Sequence, residues 1–142
     1  MTLTREDRVE LLAGVRLFAG VDADGLGRIA DRVVEVDFPD GRVIARQGEI
    51  GTGFFVVVAG RADVVRDGRV VASNGLGGFF GELSVLDGRP RVAQVVAVGP
   101  TTCLALATWD FEAVVMEHPL VALTVLRGLA ERLRTLTEAT DH

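Results

Sequence analysis

The sequence predicts a mainly β fold with flanking helices: a β-barrel or jelly roll behind N-terminal helices, with closing helices at the C-terminus. Three observations carry that expectation. Twelve of the 17 glycines lie between Gly41 and Gly99 and cut this region into pieces of strand length. The pieces are rich in β-branched residues, which fit a pleated, half-buried surface. The two flanks carry apolar residues at helical spacing instead. Many short strands at near-regular intervals argue for a sheet that closes on itself, because closure removes unpaired edges.

Taken in order, Val9, Leu12, Leu17, Leu26 and Ile29 give N-terminal helices from Arg5 to about Asp31, with a turn near "GVDADG". From residue 33 to 107 the strand candidates are "VVEVDF", "VIA", "FFVVVA", "ADVVR", "VVA", "VAQVVAV" and "CLALA". "RDGR", Arg66 to Arg69, is a tight hairpin signal between two of them. "GELSVL" reads as one short helical turn, ended by "DG" and Pro90. From Trp109 to about residue 138 the spacing is helical again, broken at Pro119. No segment is low-complexity and no internal repeat is present. The 142 residues read as one domain: N-terminal helices over 5–31, a β-roll over 33–107, closing helices over 109–138, and no output domain.

Composition narrows the functions. A chain of this length buries roughly 68–70% of its unfolded surface around one core. The net charge of −5 gives no electrostatic reason to bind DNA or an anionic membrane. All 15 basic residues are Arg, which we read as coding bias. The longest apolar run, "FFVVVA", is far shorter than the roughly 18 residues of a membrane span. "MTLTREDRVE" is polar and charged, unlike a secretory signal, so the cytoplasm is the expected compartment. Cys103, the single cysteine, sits inside a strand-like run and reads as a buried small hydrophobe. The only histidines are His118 and His142, so no metal site is expected. None of Ser73, Ser84 and Cys103 has a histidine nearby in sequence, so no nucleophilic dyad and no enzymatic activity are expected.

The most particular stretch is "FGELSVLDGRPRVAQVVA", Phe80 to Ala97, in which one loop delivers a carboxylate, Glu82, and two guanidinium groups, Arg89 and Arg91. The start of a short helix offers unpaired N–H groups and attracts an anion. Guanidinium presents paired donors in one plane, which suits a phosphate. An ionised carboxylate only accepts, so Glu82 beside a phosphate asks for a ligand that also carries hydroxyls. The combination points to a singly charged phosphodiester fused to a sugar, with an apolar slot for a base. The same charges also fit a solvated surface cluster, whose pairs stabilise by only about 0–1 kcal/mol.

"FFGELSVLDGRPRVAQVVA" resembles the phosphate-binding cassette of the cyclic nucleotide-binding domain family, which includes bacterial catabolite-activator-type regulators, the kinase A regulatory subunit and cyclic-nucleotide-gated channels. The resemblance extends through "LFAGVDADGLGRIADRVVEVDFPDGRVIARQGEIGTGFFVVVAGRADVVRDGR" and "FEAVVMEHPLVALTVLRGLAERLR", nearly the whole chain. It implies a cyclic nucleotide-binding regulatory domain with cAMP as ligand and cGMP as a weaker alternative. By resemblance Phe80, Gly81, Glu82, Leu83, Arg91, Val92 and Ala93 form the ligand set. Glu82 accepts from the ribose 2′-hydroxyl, Arg91 binds the cyclic phosphate, and backbone groups of Leu83, Val92 and Ala93 line it. Gly81 permits close approach of the chain, and Gly41, Gly48 and Gly60 fall at the family's turn glycines. Arg89 has no fixed role and reads as surface charge.

Val92 departs from the Ala, Ser or Thr frequent in the family, Gly78 replaces a frequent Asp, and Trp109, the lone Trp, leaves no evident aromatic lid over the base. A degenerate fold serving assembly or docking without ligand is therefore the alternative function. In the closing helix, Arg132 matches a position that approaches the cassette Glu, and Leu136 and Thr137 match positions that touch adenine. Leu126, Leu129, Leu133 and Leu136 share one seam, which packs on the chain's own barrel or, as in the family, pairs in a homodimer. Gly128 weakens the helix by about 1 kcal/mol against Ala and reads as a soft joint before those contacts.

Overall fold

The structure, a computed structural model, describes residues 2–48, 53–81 and 89–140, with only the backbone at 132, 136, 139 and 140. Of the predicted turn "GELSVL" only Gly81 is therefore among the described residues.

Two helices open the chain, α1 (Arg5–Ala13) and α2 (Ala23–Arg32), separated by a 3-10 turn at Arg16–Phe18. A capping box starts α1: the Asp7 N–H donates to Thr4 Oγ1 and the Thr4 N–H to Asp7 Oδ2, both at 3.0 Å. Asp22 caps α2, its Oδ1 accepting from the Gly25 N–H at 2.7 Å, which is why "GVDADG" turns before it coils. Arg5 Nε donates to Asp31 Oδ1 at 2.6 Å, tying α1 to α2 and holding the exposed Asp31 carboxyl below its ordinary range.

The sheet comprises β1 (Val34–Phe38), β2 (Val43–Ala45), β3 (Gly53–Arg66), β4 (Arg69–Asn74), β5 (Phe79–Phe80) and β6 (Gln94–Ala107), all described pairings antiparallel. The two 14-residue strands β3 and β6 run the length of the molecule and are shared by two half-sheets. One half is β1–β6–β3–β5; the other is β2–β6–β3–β4. The expected jelly roll with flanking helices is found, but the expected closure is not. Among the described residues no pairing joins the outer strands of either half, so the sheet is rolled but open. Its inner faces are covered by each other instead.

Rolling happens at a corner that the sequence disguised as strand ends. "FFVVVA" and "ADVVR" are one strand, as are "VAQVVAV" and "CLALA". The β3–β6 register shifts on both sides of Ala59, next to Gly60 at φ +82°. A Cβ on Gly60 would collide with the Pro100 carbonyl oxygen, so a left-handed backbone and close approach are both needed. Pairing then continues on either side of the bend. At the corner Thr101 Oγ1 donates to the Arg61 carbonyl at 3.0 Å. The predicted hairpin closes as expected, with Asp67 (φ +51°) and Gly68 (φ +79°) both left-handed, as a two-residue turn demands.

Period-2 alternation sorts the side chains. Phe54, Val56, Leu104 and Leu106 face outward, into a core with Leu12, Leu17, Phe18 and Ile29 from the N-terminal helices. Val57, Phe80 and Cys103 face inward and meet Ala45, Ala62 and Val95 of the other half-sheet. Cys103 is fully buried, and burial pushes its thiol up to about 12. Two closing helices complete the outer core, α3 (Thr108–Glu117) and α4 (Pro119–Thr140). Pro119 breaks the pattern as predicted by starting α4, where its missing N–H costs nothing. Phe111 of α3 stacks on Phe54, centroids 4.4 Å apart, and Val121 and Val125 of α4 are buried beside it.

Candidate functional site

The site grows from the start of β3. Gly81 follows β5 with φ +99° and passes directly over Gly53: a Cβ there would lie 2.6 Å from the Gly53 carbonyl oxygen. Real Cβ atoms do not approach that closely, so this backbone crossing requires glycine. The same Cβ would lie 3.2 Å from an Arg91 guanidinium nitrogen. Arg91 Nη2 donates to the Gly53 carbonyl at 3.1 Å, and the Arg91 carbonyl accepts from the Gly48 N–H at 2.8 Å. A half-buried guanidinium is thus held at both its backbone and its head, against a chain segment with no side chain. Phe80 is buried and stacks on Phe55, centroids 5.1 Å apart, which fixes the strand leading into Gly81.

These contacts bring Phe80, Gly81 and Arg91 together. Val92 is 58% exposed and Ala93 is half-buried, both between Arg91 and the start of β6. Glu82 and Leu83 lie outside the described residues. Arg89 is exposed, as a surface charge is expected to be. Gly41 and Gly48 have φ +80° and +85°, in line with their reading as turn glycines. Trp109 is exposed on α3. Gly53 was missed by sequence reasoning. Its only signal is a glycine at the head of an apolar strand, 38 residues from the arginine that it orients.

On α4 the predicted seam divides. Leu129 packs against the core behind Val121 and Val125, whereas Leu126 and Leu133 are 61% and 66% exposed. The barrel-packing reading therefore holds for Leu129 alone of these three. The side chains of Arg132 and Leu136 lie outside the description. Thr137 is exposed, with its hydroxyl donating to the Leu133 carbonyl at 2.9 Å. The helix runs unbroken through Gly128, where a Cβ would meet nothing within 4 Å. Among the described residues no group of three or more His, Cys, Asp or Glu is placed to hold a metal, and no single helix is long and apolar enough to cross a membrane.

A family model described as cyclic nucleotide-binding domain matches residues 35–118. The chain is 28% identical over 130 residues to a CRP-like cAMP-activated global transcriptional regulator of Mycobacterium tuberculosis, covering 88% of this chain and 58% of that protein. It is 34% identical over 123 residues to a cyclic nucleotide-gated potassium channel of Rhizobium etli, covering 87% of this chain and 34% of the channel. Among solved structures, the Thermus thermophilus catabolite activator protein superposes with a TM-score of 0.81 at 34% identity, covering 88% of this chain and 61% of that one. The chain spans less than two thirds of the length of each of these proteins.

Proposed function

The chain belongs to the cyclic nucleotide-binding domain family, and from that premise we propose that it is a cAMP-binding regulatory domain whose last helix responds to the ligand. The observation that carries this reading is the Arg91 guanidinium held at 3.1 Å by the Gly53 carbonyl beside the bare backbone of Gly81. A cation oriented before the ligand arrives loses less side-chain entropy on binding, and the missing Cβ lets the phosphate reach it. Arg91 takes the singly charged cyclic phosphate, helped by backbone groups at Leu83, Val92 and Ala93. Glu82 accepts from the ribose hydroxyl. Phe80 serves as the rigid base of the cassette.

Val92 offers no hydroxyl to the guanine amino group, so cAMP is preferred over cGMP. The name of the mycobacterial relative, a cAMP-activated regulator, supports the same ligand. Arg132, Leu136 and Thr137 lie on the part of α4 proposed to close over the base. The exposed Leu126 and Leu133 on that helix support a homodimer formed through it. One relative's name is that of a transcriptional regulator and another's that of a channel. The sensing step is accordingly what is proposed, as a non-catalytic role.

Titration calorimetry of the full chain with cAMP and cGMP tests the reading. One cAMP is expected per chain, bound more tightly than cGMP. Arg91→Ala removes a charge-assisted bond worth about 1.5–3 kcal/mol, on the order of a ten- to hundredfold loss in affinity. A melting curve on the same variant separates loss of binding from loss of fold. Unchanged affinity in Arg91→Ala overturns the cassette assignment. Failure of the wild-type chain to bind either nucleotide leaves the docking-module reading in its place.

A further inference from the structure

We propose that Asn74 is a site of spontaneous covalent modification, converting to aspartate and isoaspartate in the folded chain through attack by the backbone nitrogen of Gly75. Asn74 is the one asparagine in the sequence, and it is followed by glycine. It is also the last residue of β4, which has β3 on one side and no strand on the other among the described residues. A terminal residue of an edge strand can fray without breaking the ladder behind it.

The nucleophile is accessible. The Gly75 N–H has no hydrogen-bond acceptor among the described residues, and a Cβ built on Gly75 meets nothing within 4 Å. Asn74 is the last ladder residue, and hydrogen bonds hold the turn beyond it. Asn74 pairs with Ala62, the Gly77 N–H donates to the Val57 carbonyl at 2.8 Å, and the Gly78 N–H donates to the Gly75 carbonyl at 2.9 Å. The span left between is Gly75 and Leu76, the latter 74% exposed. The amide itself curls over this turn: Asn74 Oδ1 lies 3.0 Å from where a Gly78 Cβ would sit, and the Gly75 carbonyl oxygen lies 3.1 Å from the same point. The side chain thus lies over the same short turn as the residue whose nitrogen attacks it.

The chemistry needs only water. The deprotonated Gly75 nitrogen bonds to Asn74 Cγ, the carbon–amide nitrogen bond breaks, and ammonia leaves with a proton to close a succinimide. Water then adds at either ring carbonyl and returns aspartate or isoaspartate. Either product makes the chain one unit more negative than its −5. The isoaspartate route also adds a carbon to the backbone just before a turn that leads into Phe79 and Phe80, the strand that feeds Gly81. Modification at Asn74 thus lies just before Phe80 and Gly81 of the proposed ligand set and replaces neither residue.

The experiment incubates the full chain at neutral and mildly alkaline pH and follows peptide mass at Asn74 and isoaspartate by enzymatic methylation. The free peptide "ASNGLG" is followed in parallel. Because fraying ends open at almost no free-energy cost, the folded rate is expected within about tenfold of the peptide rate. Gly75→Ala is the structural control. Gly75 has no positive φ and no neighbour for a Cβ, so the variant keeps its melting temperature while the added methyl group slows the attack. A folded rate lower than the peptide's by more than that factor overturns the proposal, as does an undiminished rate in Gly75→Ala.

Discussion

Replacing Gly81 with alanine tests the backbone crossing on which the site rests. Two costs add. An L-residue at φ +99° pays roughly 1–2 kcal/mol for the left-handed backbone. The new Cβ would also stand 2.6 Å from the Gly53 carbonyl oxygen and 3.4 Å from Phe54 Cα. Both are backbone-anchored atoms of a central strand, with no flexible side chain to move aside. Overpacking of this kind costs typically about 1–3 kcal/mol, so Gly81→Ala is expected to destabilise by roughly 2–5 kcal/mol. That is a large part of the total for a domain stable by about 5–15 kcal/mol, and the melting temperature should fall by on the order of 10 °C.

Gly99→Ala isolates the first cost, because Gly99 has φ +71° and a Cβ there meets nothing within 4 Å. Thermal denaturation followed by circular dichroism compares the two variants, and calorimetry with cAMP reads the second consequence. Pushing Gly53 away moves the carbonyl that holds Arg91, so Gly81→Ala should lose affinity where Gly99→Ala does not. Equal destabilisation in the two variants would refute the close approach.

Two further outcomes are expected. Burial raises the Cys103 thiol from 9.0 to about 12, above its value in the unfolded chain; the stabilisation is therefore complete below 9.0 and is lost as pH rises through that window. Urea midpoints should fall across it in the wild-type chain but stay flatter in Cys103→Ala, and a native thiol that labels faster than the chain unfolds contradicts the burial. Leu133 is 66% exposed, so Leu133→Glu should change stability by less than about 0.5 kcal/mol while abolishing a dimer through α4. A dimer that survives this change in sedimentation removes that part of the proposal.

Local chemistry was legible in the sequence, and distant geometry was not. Asp67–Gly68 reads as a hairpin because the two positive φ angles it needs are properties of those two residues. Gly60 reads as a strand end for the same local reason, yet it is a bend inside a strand that pairs on both sides. A left-handed glycine serves a turn and a bulge equally well, and only the partner strand distinguishes them. The two-residue β5 offered no period to detect, although Phe79 and Phe80 supply both cores. Arg91 was evident from its charge and its loop. Gly53, which orients it, was not, because nothing in a glycine announces which carbonyl will face a guanidinium 38 residues away.

The leucines of α4 show where periodicity stops being informative. Spacing of three and four tells which residues share a helix face, but not what that face meets or where its neighbour ends. The face that α4 turns inward is Val121, Val125 and Leu129, each four residues after the last. Leu133 continues this row by one more step and is exposed, because the body of the domain supports only the first turns of the helix. Leu126 lies beside the row and is exposed for a different reason, having missed the inward face altogether. One stripe in the sequence thus holds a core residue, a residue beyond the core and a residue beside it. The last two leave apolar surface on a helix that continues to Thr140, the surface to which the proposed homodimer is assigned.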